Sequence, residues 1–226
     1  SEWIHRYTDC YLVGSNDIRE KLAAKGVERE SICVTGIPVR CEFKRPVVRR
    51  PGRTRQLLIM GGGLGLLPRK DGFYEALDAL PGVHTTIITG RNQKLYDRLA
   101  GRYPHIQVLG FTDRVYDYMA RADLVLTKPG GITLFETIFS ELPILAWEPF
   151  LEQEKLNARF LVKRGLGRVA AKEPEECLEA IRALIYDDAA LESMRANMRH
   201  MKGQLESESL ARILAGLREE KGVGVA

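Results

Sequence analysis

The sequence has no C-x-x-C pair and no histidine at metal-ligand spacing. Its four cysteines (Cys10, Cys33, Cys41, Cys177) and four histidines (His5, His84, His105, His200) are scattered singly. A metal centre held by protein side chains is therefore not expected, and the cysteines read as reduced thiols of a cytosolic protein. Long apolar runs are also missing. The longest weakly polar stretch, Leu57 to Pro68, is 12 residues with four glycines, about half the span of a membrane helix. No secretory-signal pattern opens the chain, which begins with Ser1. Acidic residues are absent from Phe43 to Lys70, while Lys44, Arg45, Arg49, Arg50, Arg53 and Arg55 crowd together. Such a cluster is either a solvated linker around Pro51-Gly52 or an attractor of anionic lipid. No aromatic side chain interleaves these charges, so a stacking platform for nucleic acid is not expected.

What is present fits a globular α/β protein. The chain has 226 residues, 45% apolar, with a mild net charge of +4, enough for one large domain or two small ones. Cys10 to Val13 reads as a short buried strand. Ser15 is placed to cap a helix running to Lys25, with Ile18 and Leu22 inward and Gly26 closing it. Ser31 to Val34 is a second strand, stopped at Gly36-Ile37-Pro38. The basic segment from Lys44 to Thr54 reads as a linker.

From Arg55 onward strands and helices alternate. Strands are expected at Gln56–Met60, Val83–Thr89, Ile106–Leu109, Asp123–Leu126, Ile144–Ala146 and Arg168–Ala170. The strand Gln56-Leu57-Leu58-Ile59-Met60 is of continuous apolar character from Leu57 on, as parallel strands buried on both faces are. Helices are expected at Asp71–Leu80, Asn92–Arg102, a segment capped by Thr112 and ending near Arg121, one opening at Gly131, and Gln153–Arg164. Gly165 and Gly167 would end that last helix. Pro174 starts another at its first turn, beside Glu173, Glu175 and Glu176. Two amphipathic helices finish the chain, the final one presenting Leu210, Ile213, Leu214 and Leu217. This alternation implies a Rossmann-like parallel sheet with helices on both faces, and ligands at the carboxyl ends of its strands.

The chemistry concentrates in the strand-to-helix loops. In Thr127-Lys128-Pro129-Gly130-Gly131-Ile132-Thr133-Leu134-Phe135-Glu136-Thr137, the Pro-Gly-Gly turn ends a strand and opens a helix whose first N–H groups can meet phosphate. Glycines there let a ligand approach the main chain. Thr133 and Glu136 share one helical face, suiting a phosphate and a diol, while Leu134, Phe135, Ile138 and Leu142 form an apolar stripe. The plain alternative is an ordinary turn with a surface glutamate. Gly61-Gly62-Gly63-Leu64-Gly65 follows another strand. It is not a Walker A loop, since no G-K-[ST] follows, and the acidic residue of a dinucleotide fold is replaced by Thr89-Gly90-Arg91. A tight turn for close helix packing stays open for this loop. Phe111-Thr112 and the stretch Glu148 to Gln153 leave two further strands, so all four loops should open on one edge. Phe111 could also be core, and Gln153 and Asn157 could merely cap or decorate a helix.

Thr35-Gly36-Ile37-Pro38-Val39, Met60-Gly61-Gly62-Gly63-Leu64-Gly65, Gly110-Phe111-Thr112-Asp113-Arg114-Val115, Lys128 to Glu136, and Gln153 to Leu161 occur in this order. Together they resemble the monogalactosyldiacylglycerol synthase and processive diacylglycerol glucosyltransferase family, and more distantly the peptidoglycan lipid-intermediate N-acetylglucosaminyltransferase. The resemblance runs from about Asp9 to Leu217. It implies the C-terminal, donor-binding domain of a two-domain GT-B glycosyltransferase. Residues 1–43 would be the tail of an acceptor domain and the crossover segment, 44–54 a basic linker or loop, 55–205 the nucleotide-sugar domain, and 206–226 a C-terminal helix. An acceptor half carrying the catalytic base would precede Trp3.

By the same resemblance, Gly61, Gly62, Gly63 and Gly65 should face the sugar diphosphate with backbone N–H groups. Relatives often carry a polar residue where Leu64 stands, so this loop would act through its main chain. Phe111 and Thr112 should meet uracil, Gly130, Gly131 and Thr133 the diphosphate, and Glu136 the ribose hydroxyls. Gln153, with Glu154 and Asn157, should address hydroxyls of the sugar. The implied function is transfer of a hexose from a UDP-sugar to a lipid such as diacylglycerol, without a metal cofactor or nucleic acid, in the cytoplasm or peripherally on the inner face of the membrane. The alternatives are a non-catalytic UDP-sugar-binding subunit that needs a partner chain, or a UDP-GlcNAc transferase or epimerase of the same fold.

Overall fold

The computed structural model describes residues 4–5, 7–45, 47, 54–61, 67–68, 70–147 and 149–207. The chain divides between Pro38 and Val39, and again between Arg199 and His200, into two compact units.

In the first unit, β1 (Tyr11–Val13) and β2 (Ile32–Val34) pair in parallel, with Tyr11 opposite Ile32 and Val13 opposite Val34. The helix α1 (Asn16–Ala23) joins them, followed by a 3-10 turn at Arg29–Ser31. Val13, Ile32 and Val34 are buried together, with Leu22 partly buried against them. Two local expectations need correction. Ser15 does occupy the N-cap position, but its side chain makes no capping hydrogen bond; its carbonyl accepts from Ile18 and Arg19 instead. Ile18 is 44% exposed rather than inward: it shares a helical face with Leu22, but α1 meets the core only at its C-terminal end, through Leu22 and Ala23.

The second unit is a six-stranded, wholly parallel sheet: β3 (Arg55–Met60), β4 (Val83–Ile88), β5 (Ile106–Leu109), β6 (Leu124–Thr127), β7 (Ile144–Trp147) and β8 (Gly167–Ala170). Its spatial order is β5-β4-β3-β6-β7-β8. Helices α2 (Asp71–Asp78), α3 (Gln93–Leu99), α4 (Val115–Arg121), α5 (Gly131–Phe139), α6 (Glu152–Lys163) and α7 (Pro174–Ile185) follow the strands in turn. The last described helix, α8 (Asp188–Ser207), runs through the second division of the chain.

Burial explains the layers. Leu57 and Ile59 on β3, and Leu124 and Leu126 on β6, join one core with Phe73, Tyr74 and Leu77 of α2 and Ile181, Leu184 and Ile185 of α7. Side chains alternate across a strand, so Leu58 and Val125 point the other way. They are equally buried, and α4 packs against β3 there. The outer strand β8 behaves differently, with Arg168 and Val169 exposed.

Several boundaries shift from expectation. Gly167 lies in β8 rather than in a helix-ending loop: a Cβ there would stand 1.9 Å from the Ile144 carbonyl oxygen, so only glycine lets β8 pair that closely with β7. Trp147 belongs to β7 and is buried. Asn92, expected inside α3, is its N-cap, its side-chain oxygen accepting from Leu95 N–H at 3.0 Å. One helix, α8, is described where two were expected, and Leu210, Ile213, Leu214 and Leu217 lie outside the described residues. Of the basic segment, Lys44 closes a 3-10 turn (Cys41–Lys44), and residues 46 and 48–53 lie outside the described residues.

Candidate functional site

The strand order sets the site. The chain leaves β3 outward through β4 to β5, then returns to the far side of β3 to lay down β6, β7 and β8. Between β3 and β6 the connections diverge, which opens a crevice at the carboxyl ends of those two strands. Met60 and Thr127 are direct register partners at that end. The glycine loop and the Pro-Gly-Gly turn therefore leave the sheet side by side, although more than 60 residues separate them in sequence. Gly61 is buried where β3 ends, while Gly62, Gly63, Leu64 and Gly65 lie outside the described residues.

Gly130 is the N-cap of α5 and has an extended conformation (φ −66, ψ 147). No side chain caps this helix, and its first intrahelical bond is Leu134 N–H to the Gly130 carbonyl. The N–H groups of Gly131, Ile132 and Thr133 are thus left for another acceptor, at the positive end of the helix dipole. The Thr133 hydroxyl stands 3.9 Å from where a Gly130 Cβ would be, so it overhangs the same backbone. Among the described residues the Thr133 hydroxyl has no hydrogen-bond partner.

One turn further, Glu136 is half-buried, and burial raises its carboxyl above the usual carboxylate range. The nearby Arg40 guanidinium offsets part of that rise. Among the described residues the Glu136 carboxylate has neither a hydrogen bond nor an ion pair, while the apolar stripe expected from sequence, Leu134, Phe135, Ile138 and Leu142, is buried. A desolvated carboxylate without donors is suited to accept from ligand hydroxyls.

Arg40 was not among the residues singled out from sequence. Its Nη2 donates to the Asp113 carbonyl at 2.9 Å, and its guanidinium lies over the rings of Phe43 and Tyr116 at 5.4 and 5.5 Å. These contacts tie it to the loop after β5 while its charge reaches Glu136. Its only sequence signal is that it directly follows Thr35–Val39, and nothing local says where such an arginine points.

Phe111 is not core: it is 73% exposed on the loop leaving β5. The Thr112 hydroxyl accepts from Arg114 N–H at 3.1 Å, which shapes a turn; Arg114, not Thr112, is the N-cap of α4. β4 lies between β5 and β3, so this loop shares the edge but flanks the crevice rather than lining its base.

On the other flank, Glu154 accepts from the N–H groups of Phe150 (2.9 Å) and Leu151 (3.2 Å), the carboxylate half of a capping box that starts α6. The Asn157 amide donates to the Pro129 carbonyl at 2.8 Å and so ties α6 to the Pro-Gly-Gly turn. Gln153 is exposed in the first turn of α6 and has no partner among the described residues. No cluster of three or more metal-ligating side chains occurs among the described residues.

Comparison with known proteins adds to this geometry. Residues 58–212 match the family model described as glycosyltransferase family 28 C-terminal domain, and residues 1–39 match monogalactosyldiacylglycerol (MGDG) synthase. A processive diacylglycerol beta-glucosyltransferase of Bacillus licheniformis is 31% identical over 219 residues, 91% of this chain and 57% of that protein. The chain spans about half the length of the curated relatives it matches. Among solved structures, the calicheamicin glycosyltransferase CalG4 superposes with a TM-score of 0.67 at 20% identity, covering 95% of this chain and 54% of that one. Anabaena Alr3699/HepE in complex with UDP and glucose gives 0.56 at 17% identity, covering 94% and 63%. A likeness at such identities speaks for the fold alone.

Proposed function

Since this chain belongs to the glycosyltransferase family 28 C-terminal domains, we propose that it is the donor-binding half of a UDP-sugar-dependent hexosyltransferase acting on a lipid such as diacylglycerol. The observation that carries this reading is Glu136, a half-buried carboxylate that has no hydrogen bond or ion pair among the described residues, one turn below the uncapped N-terminus of α5 at the β3/β6 crevice. In this reading the diphosphate meets the free N–H groups of α5, the Thr133 hydroxyl and the loop at Gly61. The ribose hydroxyls donate to Glu136, Phe111 and Thr112 meet the uracil, and Gln153 addresses the sugar. Support for the donor comes from the Anabaena protein of the same fold, which holds UDP and glucose. Support for the acceptor comes from the name of the Bacillus licheniformis relative.

Transfer requires a base at the acceptor and stabilisation of the departing UDP. This chain would supply the second. The N–H groups and dipole of α5 face the charge that develops on the leaving phosphate, a task that does not require a metal ion. The base would come from an acceptor-binding half. No helix among the described residues is long and apolar enough to cross a membrane. In this reading the lipid is met peripherally, at the cytoplasmic face, with the basic segment around Lys44 and Arg45 against anionic headgroups.

Calorimetry with UDP, UDP-glucose, UDP-galactose and UDP-N-acetylglucosamine tests the donor. Binding should be the same with magnesium or with EDTA. Glycolipid formation from diacylglycerol vesicles by the full-length protein then tests the acceptor. No UDP binding at millimolar concentration would remove the whole reading. Binding without turnover by the full-length protein would leave a nucleotide-sugar-binding subunit.

A further inference from the structure

The two strands of the first unit bring together a pair of thiols that the nucleotide reading leaves unused. Cys10 immediately precedes β1, and Cys33 is the central residue of β2. Cys33 is the register partner of Leu12, and alternation puts Cys10 on the same face as Leu12. The two sulfurs are 3.5 Å apart, and both residues are free and only partly buried. A disulfide needs about 2.05 Å between sulfurs, so about 1.5 Å of approach would close the pair. Cys10 lies outside the strand ladder and can supply that movement. Cys41, by contrast, is exposed with its sulfur against the Glu42 carboxylate, and Cys177 is fully buried in the core. Among the described residues no group of three metal-ligating side chains exists, so the chemistry open to this pair is redox rather than metal binding.

We propose that Cys10 and Cys33 form a two-thiol site that a small disulfide oxidant, glutathione disulfide being the probe, closes reversibly into an intramolecular bond across β1 and β2. One protein thiolate attacks a sulfur of glutathione disulfide, breaking its S–S bond and releasing one glutathione, which takes up that cysteine's proton. The other protein thiolate then attacks the protein sulfur of the mixed disulfide and expels the second glutathione, which takes up the second proton. The protein loses two electrons and glutathione disulfide gains two. Burial and the neighbouring Cys33 thiol push Cys10 up to about 11. A thiol with so high a pKa is a poor leaving group, which disfavours the route of re-reduction that expels Cys10.

The test uses the 226-residue chain carrying Cys41→Ser, so that three thiols remain. Glutathione disulfide should lower the thiol count in denaturant from three to one and reduce the mass by two hydrogens. A non-reducing digest should link the peptides holding Cys10 and Cys33, and dithiothreitol should restore all three thiols. Adding Cys33→Ser should abolish closure and leave at most one glutathione on Cys10. The proposal fails if Cys10 and Cys33 both stay titratable, if each carries its own glutathione, or if the link joins two chains. The same digest on the wild-type chain guards against a variant that misfolds.

Discussion

A carboxylate that burial holds against its own ionisation is unfavourable to a fold unless something donates to it, and that is the position of Glu136. Two consequences of Glu136→Gln can be separated. If ribose hydroxyls are the donors, UDP binding should weaken by about 1.5–3 kcal/mol, the scale for hydrogen bonds to a charged group, or about tenfold to a hundredfold in dissociation constant. Stability should move the other way. A carboxyl whose folded pKa is raised contributes stability below its unfolded value that is lost as pH rises through the folded value. The melting temperature of the variant should therefore gain on the wild type as pH rises from about 4. Calorimetry and a pH series of melting curves read the two effects; a variant that keeps full UDP affinity would take Glu136 out of the site. Asn157→Ala is the contrasting case. It removes the 2.8 Å bond to the Pro129 carbonyl and should cost about 0.5–1.5 kcal/mol of stability. UDP affinity should fall with it, since the turn that presents Gly131 is no longer held from α6. Unchanged melting temperature and unchanged affinity would show that the turn stands without Asn157.

The secondary elements matter through how they are fastened. The Asp123 carboxylate accepts from Gln56 N–H at 2.8 Å, and its own N–H donates to the Gln56 carbonyl at 2.8 Å, so the start of β6 is tied to the start of β3. Arg195 of α8 donates to the Asp123 carbonyl at 3.3 Å. Asp123→Ala leaves the Gln56 N–H without its acceptor, at about 1–3 kcal/mol, and thermal melting should fall by about 2–4 °C per kcal/mol. At the other end of the sheet, Gly167→Ala forces a Cβ onto the Ile144 backbone, which has no side-chain freedom to yield. The cost should reach about 3 kcal/mol, the upper range of overpacking, and melting should drop by about 6–12 °C. A shift under about 2 °C would mean that β8 pairs less closely with β7 than the register states.

At the scale of the molecule, the six-stranded sheet should behave as a nucleotide-binding body whose occupancy stabilises it. UDP at about 100 times its dissociation constant adds about 2.7 kcal/mol, so melting should rise by about 5–11 °C, equally in EDTA and in magnesium. Dependence of that shift on magnesium would assign the diphosphate charge to a metal ion rather than to α5. The architecture by itself does not choose a reaction. Sheets of this order carry unrelated reactions on one scaffold. Function therefore rests on the side chains at the crevice and on the family.

Much of this was legible before any coordinates. Apolar runs such as Leu57-Leu58-Ile59 mark strands buried on both faces, and Pro129-Gly130-Gly131 marks a strand's end and a helix's beginning, because such signals lie within one turn of the residues they govern. The shared face of Thr133 and Glu136 follows from helical spacing alone. Tertiary structure decided which strands are neighbours. That β6 returns beside β3 and places Thr127 against Met60 depends on burying apolar faces across some 60 residues of intervening chain, and no local pattern encodes it. The same long-range packing brings the Arg40 charge to Glu136, aims Asn157 at Pro129, and sets two cysteines 3.5 Å apart. Local sequence chooses the elements because their signals act through the nearest neighbours; contacts between elements appear only once the whole core has closed.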